Sequence, residues 1–209
     1  MKGLFKLLRL NSKPESGEDH PDSLLFSTAF TEQGVDAKLL VPWEARAVEV
    51  GAARLSASHG TRLLQALWAK DPYMHALDPD AIRHLEQFFD FATVAPNRDL
   101  IRQDEYGNFM VVLLSGSIAV DRQQHWGERL RLAEVEPGEI LGEMSLLDSG
   151  QRFSVCTTLT SCEIAVLSAD ALDSMLAANP TLAASLIALL ARKLSLRLRN
   201  VSARLSDHK

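Results

Sequence analysis

The sequence has 209 residues, 46% of them hydrophobic and 23% charged, and 22 Lys and Arg against 27 Asp and Glu leave a net charge of −5. This is room for one ordinary domain and an appendage around a real core, which excludes wholesale disorder. The acidic balance argues against non-specific nucleic-acid binding by the whole chain. No run approaches the ~18 apolar residues of a membrane span, and the only cysteines, Cys156 and Cys162, are too few for a disulfide scaffold or a four-ligand zinc site. A cytoplasmic protein is expected.

Residues 1–22 read as a basic amphipathic start followed by a linker. Within MKGLFKLLRL, Lys2, Lys6 and Arg9 interrupt the apolar run, so a signal peptide fails, and Lys2 stands where myristoylation needs Gly. A frayed or docking helix and a short helix touching a membrane both fit this stretch. NSKPESGEDHPD has a linker's composition. Residues 23–60 form an extension without assignable function, in which the Ala-rich stretch Trp43 to Ser58 reads as a helix opened by Pro42.

From Thr61 to Asn179 the pattern is that of one domain. LLQALWA has helical periodicity and stops near Pro72, and Asp78 with Pro79 opens a second helix. Short strands are expected at 99–103, 109–114, 116–121, 129–135 and 155–167, with a tight turn at Ser115-Gly116 and another at Glu136-Pro137-Gly138. Strands at that spacing predict a β-sandwich or jelly-roll barrel with flanking helices.

The chain closes on helices. Ser168 caps one that ends at Asn179-Pro180, and residues 180–209 carry a longer one from about Thr181 to Leu205. Its Leu190, Leu194, Leu198, Val201 and Leu205 form a coiled-coil-like seam, which predicts a homodimer. Leu182, Leu186, Leu189 and Leu196 form a second stripe suited to lying on the barrel. Arg192, Lys193, Arg197, Arg199 and Arg204 give this helix a basic face, expected to be solvated or paired with an acidic partner.

The segment that carries chemistry is LGEMSLLDSGQRFSVCTT, residues 141–158. A helical turn begun by Met144–Leu147 offers unpaired N–H groups to an anion. Arg152, nine residues after Glu143, can reach the same anion bidentately. A phosphate repels Glu143, whose fitting partner is a hydroxyl such as a ribose 2′-OH, and Gly142 permits close backbone approach. Phosphate, ribose and an apolar wall together describe a nucleotide site.

This segment resembles the phosphate-binding cassette of the cyclic nucleotide-binding domain family, which includes catabolite activator proteins and protein kinase A regulatory subunits. The similarity runs over about residues 61–205: leading helices, the Ser115-Gly116 hairpin, Pro137-Gly138-Glu139, the cassette, CEIAVLS and the C-terminal helices. It implies a double-stranded β-helix barrel in which Glu143, beside Gly142, holds a ribose hydroxyl and Arg152 neutralises a cyclic phosphate. The resemblance also implies that Met144, Ser145, Phe153 and Ser154 line the same pocket. Three departures from the family pattern stand out. Phe153 replaces a small residue, Arg197-Leu198 replaces a hydroxyl pair facing adenine, and Arg98 and Glu105 stand where Gly is common.

The resemblance implies a non-catalytic sensor of cyclic AMP or cyclic GMP that signals to a protein partner. The alternatives are a ligand-free dimerisation or docking module and a cyclic dinucleotide sensor. The transcription-factor members continue into a helix-turn-helix, whereas this sequence ends at Lys209, so no DNA-binding domain is expected. An enzyme finds little support. The six His (His20, His59, His75, His84, His125 and His208) are scattered, against the clustered ligands a metal needs. No resident metal or cofactor is expected. Cys156 and Cys162, about 20 Å apart on one extended strand, lack a neighbouring His. Asp104 and Glu105 on a strand point to opposite faces.

Overall fold

The run Phe109–Ser115 is buried along nearly its whole length, and this sets the architecture. A strand with both faces covered reads as a continuous apolar run, because each alternate side chain meets a different core. Here Phe109, Val111 and Leu113 enter one cluster, while Met110, Val112 and Leu114 enter another. The computed structural model of the chain describes residues 24–71, 84–124 and 126–207, the side chains of 204–207 excepted. The expectations for residues 1–22, Pro72, the Asp78-Pro79 helix start, His75, His125, His208 and the Leu205 side chain lie outside the described residues.

Among the described residues, nine strands make two antiparallel sheets. The five-stranded sheet runs β1 (Ala53–Arg54), β2 (Asp90–Val94), β9 (Cys162–Ser168), β4 (Phe109–Ser115) and β7 (Ile140–Leu141). The four-stranded sheet runs β3 (Asp99–Ile101), β8 (Val155–Thr158), β5 (Ile118–Gln123) and β6 (Arg129–Val135). Among the described residues no ladder joins an edge of one sheet to an edge of the other, so the expected jelly-roll barrel is two sheets and is not closed. Gly116, at φ +92, makes the tight turn between β4 and β5, and a Cβ there would meet the Ser161 carbonyl at 2.5 Å. The segment expected as one strand over 155–167 breaks into β8 and β9. Cys156 and Cys162 therefore lie in different sheets, both buried and free.

The outer face of the five-stranded sheet is covered by helices. α3 (Ala57–Trp68) contributes Leu64 and Trp68, α5 (Ala169–Ala178) contributes Leu172 and Met175, and α6 (Pro180–Asp207) contributes Leu182, Leu186, Leu189 and Leu190. Each such side chain is worth about 1.5–3 kcal/mol of burial. Leu190, expected in the intermolecular seam, is fully buried in the chain's own core. Its carbon surface is removed from water by the chain's own helices packed on the sheet. Leu194 is half-buried, while Leu196, Leu198 and Val201 are exposed at 40%, 68% and 50%. Thus only the distal part of the expected seam is free, and Leu196 does not join the packed stripe. The Ser168 hydroxyl caps α5, accepting from Ala171 N–H at 3.1 Å, and Asn179 Oδ1 accepts from Leu182 N–H at 3.1 Å to start α6.

The Ala-rich stretch from Trp43 to Ser58 is two helices, not one. α2 (Trp43–Val50) ends at Gly51, whose φ of +65 is the left-handed conformation that terminates helices, and β1 intervenes before α3. Upstream, α1 (Phe26–Glu32) is tied to α5 by the buried Asp173 carboxylate, which accepts from the N–H groups of Leu25, Phe26 and Ser27 at 2.9 Å. No described helix is long and apolar enough to cross a membrane.

Candidate functional site

Residues 141–158 leave the five-stranded sheet at β7, make the short helix α4 (Glu143–Asp148) and enter the four-stranded sheet as β8. Gly142 joins strand to helix at φ +78. A Cβ there would lie 2.5 Å from Arg152 Nη1 and 2.9 Å from Ile101 Cδ1, so both the conformation and the contact require glycine.

Arg152 is 3% exposed. Its Nη1 donates to the Gly142 carbonyl at 2.8 Å, its Nη2 donates to the Phe109 carbonyl at 2.6 Å, and its guanidinium lies 4.7 Å from the centre of the Phe109 ring. Gly107 closes the cradle, since a Cβ there would meet Nη2 at 2.7 Å and Nε at 2.8 Å. Among the described residues no carboxylate lies within ion-pair distance of Arg152, so the pair with Glu143 that a barrel-mouth salt bridge would give is not formed. The two carbonyls take two of five guanidinium donors and fix the plane of the rest. Burial lowers the Arg152 guanidinium to about 10, the neighbouring Arg46 adding to the depression. The side chain therefore stays cationic at neutral pH.

Glu143 is equally hidden, at 3% exposure. Its Oε1 accepts from Arg197 Nη1 at 2.6 Å, and Arg197 Nη2 lies 3.4 Å from the Ile140 carbonyl and 3.6 Å from Glu139 Oε2. Burial pushes the Glu143 carboxyl above its ordinary range, with the Arg197 cation opposing that rise. Arg197 thus clamps α6 onto the cassette. Lys193, one turn earlier, pairs with Asp71 at 3.0 Å, so two of the basic residues of α6 face the chain's own acids.

The remaining sequence-predicted residues spread out around this pair. Ser145 is buried, Ser154 is half-buried, and Met144 is 45% exposed. Phe153 turns outward at 52% exposure, with Arg122 3.9 Å above its ring and donating to its carbonyl at 2.6 Å. Asp104 and Glu105 belong to a loop, Asp104 at φ +64, and not to a strand. Burial pushes the Cys156 thiol up to about 12, which leaves it protonated and a poor nucleophile. No group of three or more His, Cys, Asp or Glu among the described residues is arranged to hold a metal ion.

Sequence reasoning missed Gly107, Phe109, Trp43 and Arg46. Trp43 packs edge-on against Phe109, with centroids 5.6 Å apart, and Arg46 is buried at 1%. Their signals were weak. Gly107 precedes a strand and Phe109 opens it, neither within a motif, and an arginine on a short Ala-rich helix is ordinarily solvated.

Residues 92–179 match the family model of the cyclic nucleotide-binding domain. This stretch is a cyclic nucleotide-binding domain. The chain is 29% identical over 123 residues to the cyclic AMP receptor protein of Thermus thermophilus, covering 59% of this chain and 57% of that protein. The chain thus spans little more than half the length of that relative. The crystal structure of the Thermus thermophilus catabolite activator protein superposes with a TM-score of 0.57 at 29% identity, over 65% of this chain and 62% of that one. A cyclic nucleotide-binding domain from Methylobacillus flagellatus superposes with a TM-score of 0.67 at 23% identity, over 76% and 88%, and shares the fold. The buried Glu143 and Arg152 both lie within the matched stretch.

Proposed function

We propose that the chain is a non-catalytic regulatory sensor whose cassette binds a cyclic nucleotide. The observation that carries this reading is the placement of Arg152: a buried cation held by two carbonyls, with no described carboxylate as partner. A buried charge without an opposite charge is costly, and a cyclic phosphate supplies that charge. Glu143, on the other side of Gly142, accepts the ribose 2′-hydroxyl. Ligand selectivity between cyclic AMP and cyclic GMP rests on groups beyond these two.

The link to output is Arg197. A ribose hydroxyl and the Arg197 guanidinium compete for Glu143, so ligand binding biases α6 toward release from the cassette. The ligand shifts this equilibrium only by its differential affinity for the two arrangements. The exposed Leu198 and Val201 then present α6 to a second copy of the chain or to a protein partner, in the cytoplasm.

A second reading, a ligand-free docking module, has one observation in its favour: Glu143 is already satisfied by Arg197. Titration calorimetry of the full chain with cyclic AMP, cyclic GMP and cyclic di-GMP separates the two. The sensor reading expects saturable binding of at least one, and ~2.7 kcal/mol of added stability at 100 times the dissociation constant. Silence from all three with a folded protein leaves the docking module.

A further inference from the structure

The segment ahead of the matched domain sends a buried guanidinium to the edge of the cassette. Arg46, on α2, is 1% exposed. Its Nη1 donates to Glu49 Oε2 at 2.6 Å, its Nη2 is bonded to the Glu105 carboxylate, and its Nε is buried without an acceptor. Three contacts fix α2 there. Val41 N–H donates to the Tyr106 carbonyl at 2.8 Å, Trp43 packs on Phe109, and Val50 is buried in the core between the sheets.

Glu105 is the acid that matters for an incoming anion. Its carbonyl accepts from Arg152 N–H at 2.8 Å, and the Asp104 N–H donates to the Arg152 carbonyl at 2.9 Å, so Glu105 and Arg152 are joined across the loop. A free Glu105 carboxylate has two ways to oppose a ligand: it competes for the Arg152 cation, or it repels the phosphate directly. Arg46 takes that carboxylate instead, while Arg102 bonds Glu49 and lies 3.9 Å from Glu105. The burial of Arg46 matters, because the charge pair it makes is poorly screened by water and salt.

We propose that Arg46 is a positioning residue for the anion site: by holding the Glu105 carboxylate it leaves Arg152 to the ligand phosphate. The N-terminal segment is then an integral part of the binding unit and not a mere appendage to it. This inference rests on the sensor reading above.

The test is titration calorimetry of the full chain with cyclic AMP, cyclic GMP and cyclic di-GMP, on wild type, Arg46→Gln, Glu105→Gln and the double variant. Arg46→Gln is expected to weaken binding on the order of tenfold, through the field of a Glu105 carboxylate left with the more distant Arg102 at 3.9 Å. Glu105→Gln alone is expected not to weaken it, and the double variant to return to within about threefold of wild type. Loss of packing alone predicts no rescue. Wild type that binds none of the three overturns the sensor reading, and this inference with it. Wild type that binds, with Arg46→Gln equally tight or the double variant still weak, overturns this inference alone. If Arg46→Gln does not fold, weakened binding by Glu105→Gln or by the double variant overturns it.

Discussion

Glu143 and Arg197, 54 residues apart, share a 2.6 Å hydrogen bond between a buried carboxylate and a half-exposed guanidinium. The bond joins α4 of the cassette to the far half of α6, beyond the last residues of that helix that pack on the sheet. A change at Glu143 is therefore transmitted to the helix by one contact.

Replacing Arg197 tests that contact. Arg197→Gln leaves a buried carboxylate short of a partner, and is expected to cost about 1–3 kcal/mol in the free protein. A bound hydroxyl restores a partner to Glu143, so the ligand-induced rise in unfolding temperature is expected to be larger than in wild type. Calorimetric unfolding with and without nucleotide measures both.

Glu143 itself has a signature in pH. Its folded carboxyl is pushed above the ordinary value of 4.5 by burial, so the folded state holds its proton more tightly than the unfolded chain does. Stability from this group is complete below the unfolded value and is lost as pH rises through the folded one. Glu143→Gln removes that loss, and its stability relative to wild type is expected to increase from pH 4.5 upward. Unfolding midpoints of the two proteins across that range give the slope, and a falling difference contradicts the burial account.

Arg152 has two duties that substitutions can separate. Arg152→Ala removes one donor from the Phe109 carbonyl and one from the Gly142 carbonyl, which keeps Leu146 N–H at 3.4 Å, besides removing the cation. Arg152→Lys keeps a charge but not the planar fork. Both are expected to abolish nucleotide binding, with Ala the less stable. Binding must be read by calorimetry, since a temperature shift mixes the two losses.

Gly107 offers a steric probe, because its φ is not positive and the three atoms nearest an added methyl all belong to Arg152, the first at 2.7 Å. Gly107→Ala is expected to weaken binding by displacing the guanidinium while leaving the strand pairing intact. Gly142→Ala adds strain at φ +78 and is expected to be more destabilising. Affinity and unfolding midpoint together separate the two effects.

The exposed Leu198 and Val201 bear on assembly. Leu198→Asp is expected to shift a dimer to monomer in sedimentation, with the unfolding midpoint changed little because the side chain is 68% exposed. A monomer in the wild type removes the dimer from the account.

What was legible in the sequence was local. The Ser115-Gly116 turn, the strand at 129–135 and the Ser168 cap each rest on a few neighbouring residues whose chemistry has one common use. The Gly142-Glu143 and Arg152 set was legible for the same reason, being an ordered motif within a dozen residues. What lay hidden depends on contacts between distant segments. Arg46 meets Glu105 only because Trp43 and Val50 anchor α2 on the core, and two apolar anchors on an Ala-rich helix make no period. Cys156 and Cys162 read as one strand because Leu159, Thr160 and Ser161 lack the Gly or Pro that marks a turn. The spacing of Leu190 assigned it to the seam, whereas the fold buries it with the stripe that lies on the sheet.

The central claim is that a cyclic nucleotide takes Glu143 from Arg197. Hydrogen exchange along α6, measured with and without saturating nucleotide in wild type and in Arg197→Gln, tests it most directly. The account predicts faster exchange around Lys193–Asn200 on binding in wild type, and exchange already fast and insensitive to nucleotide in Arg197→Gln. Binding that leaves α6 unchanged in wild type, or changes it equally in both proteins, contradicts the account.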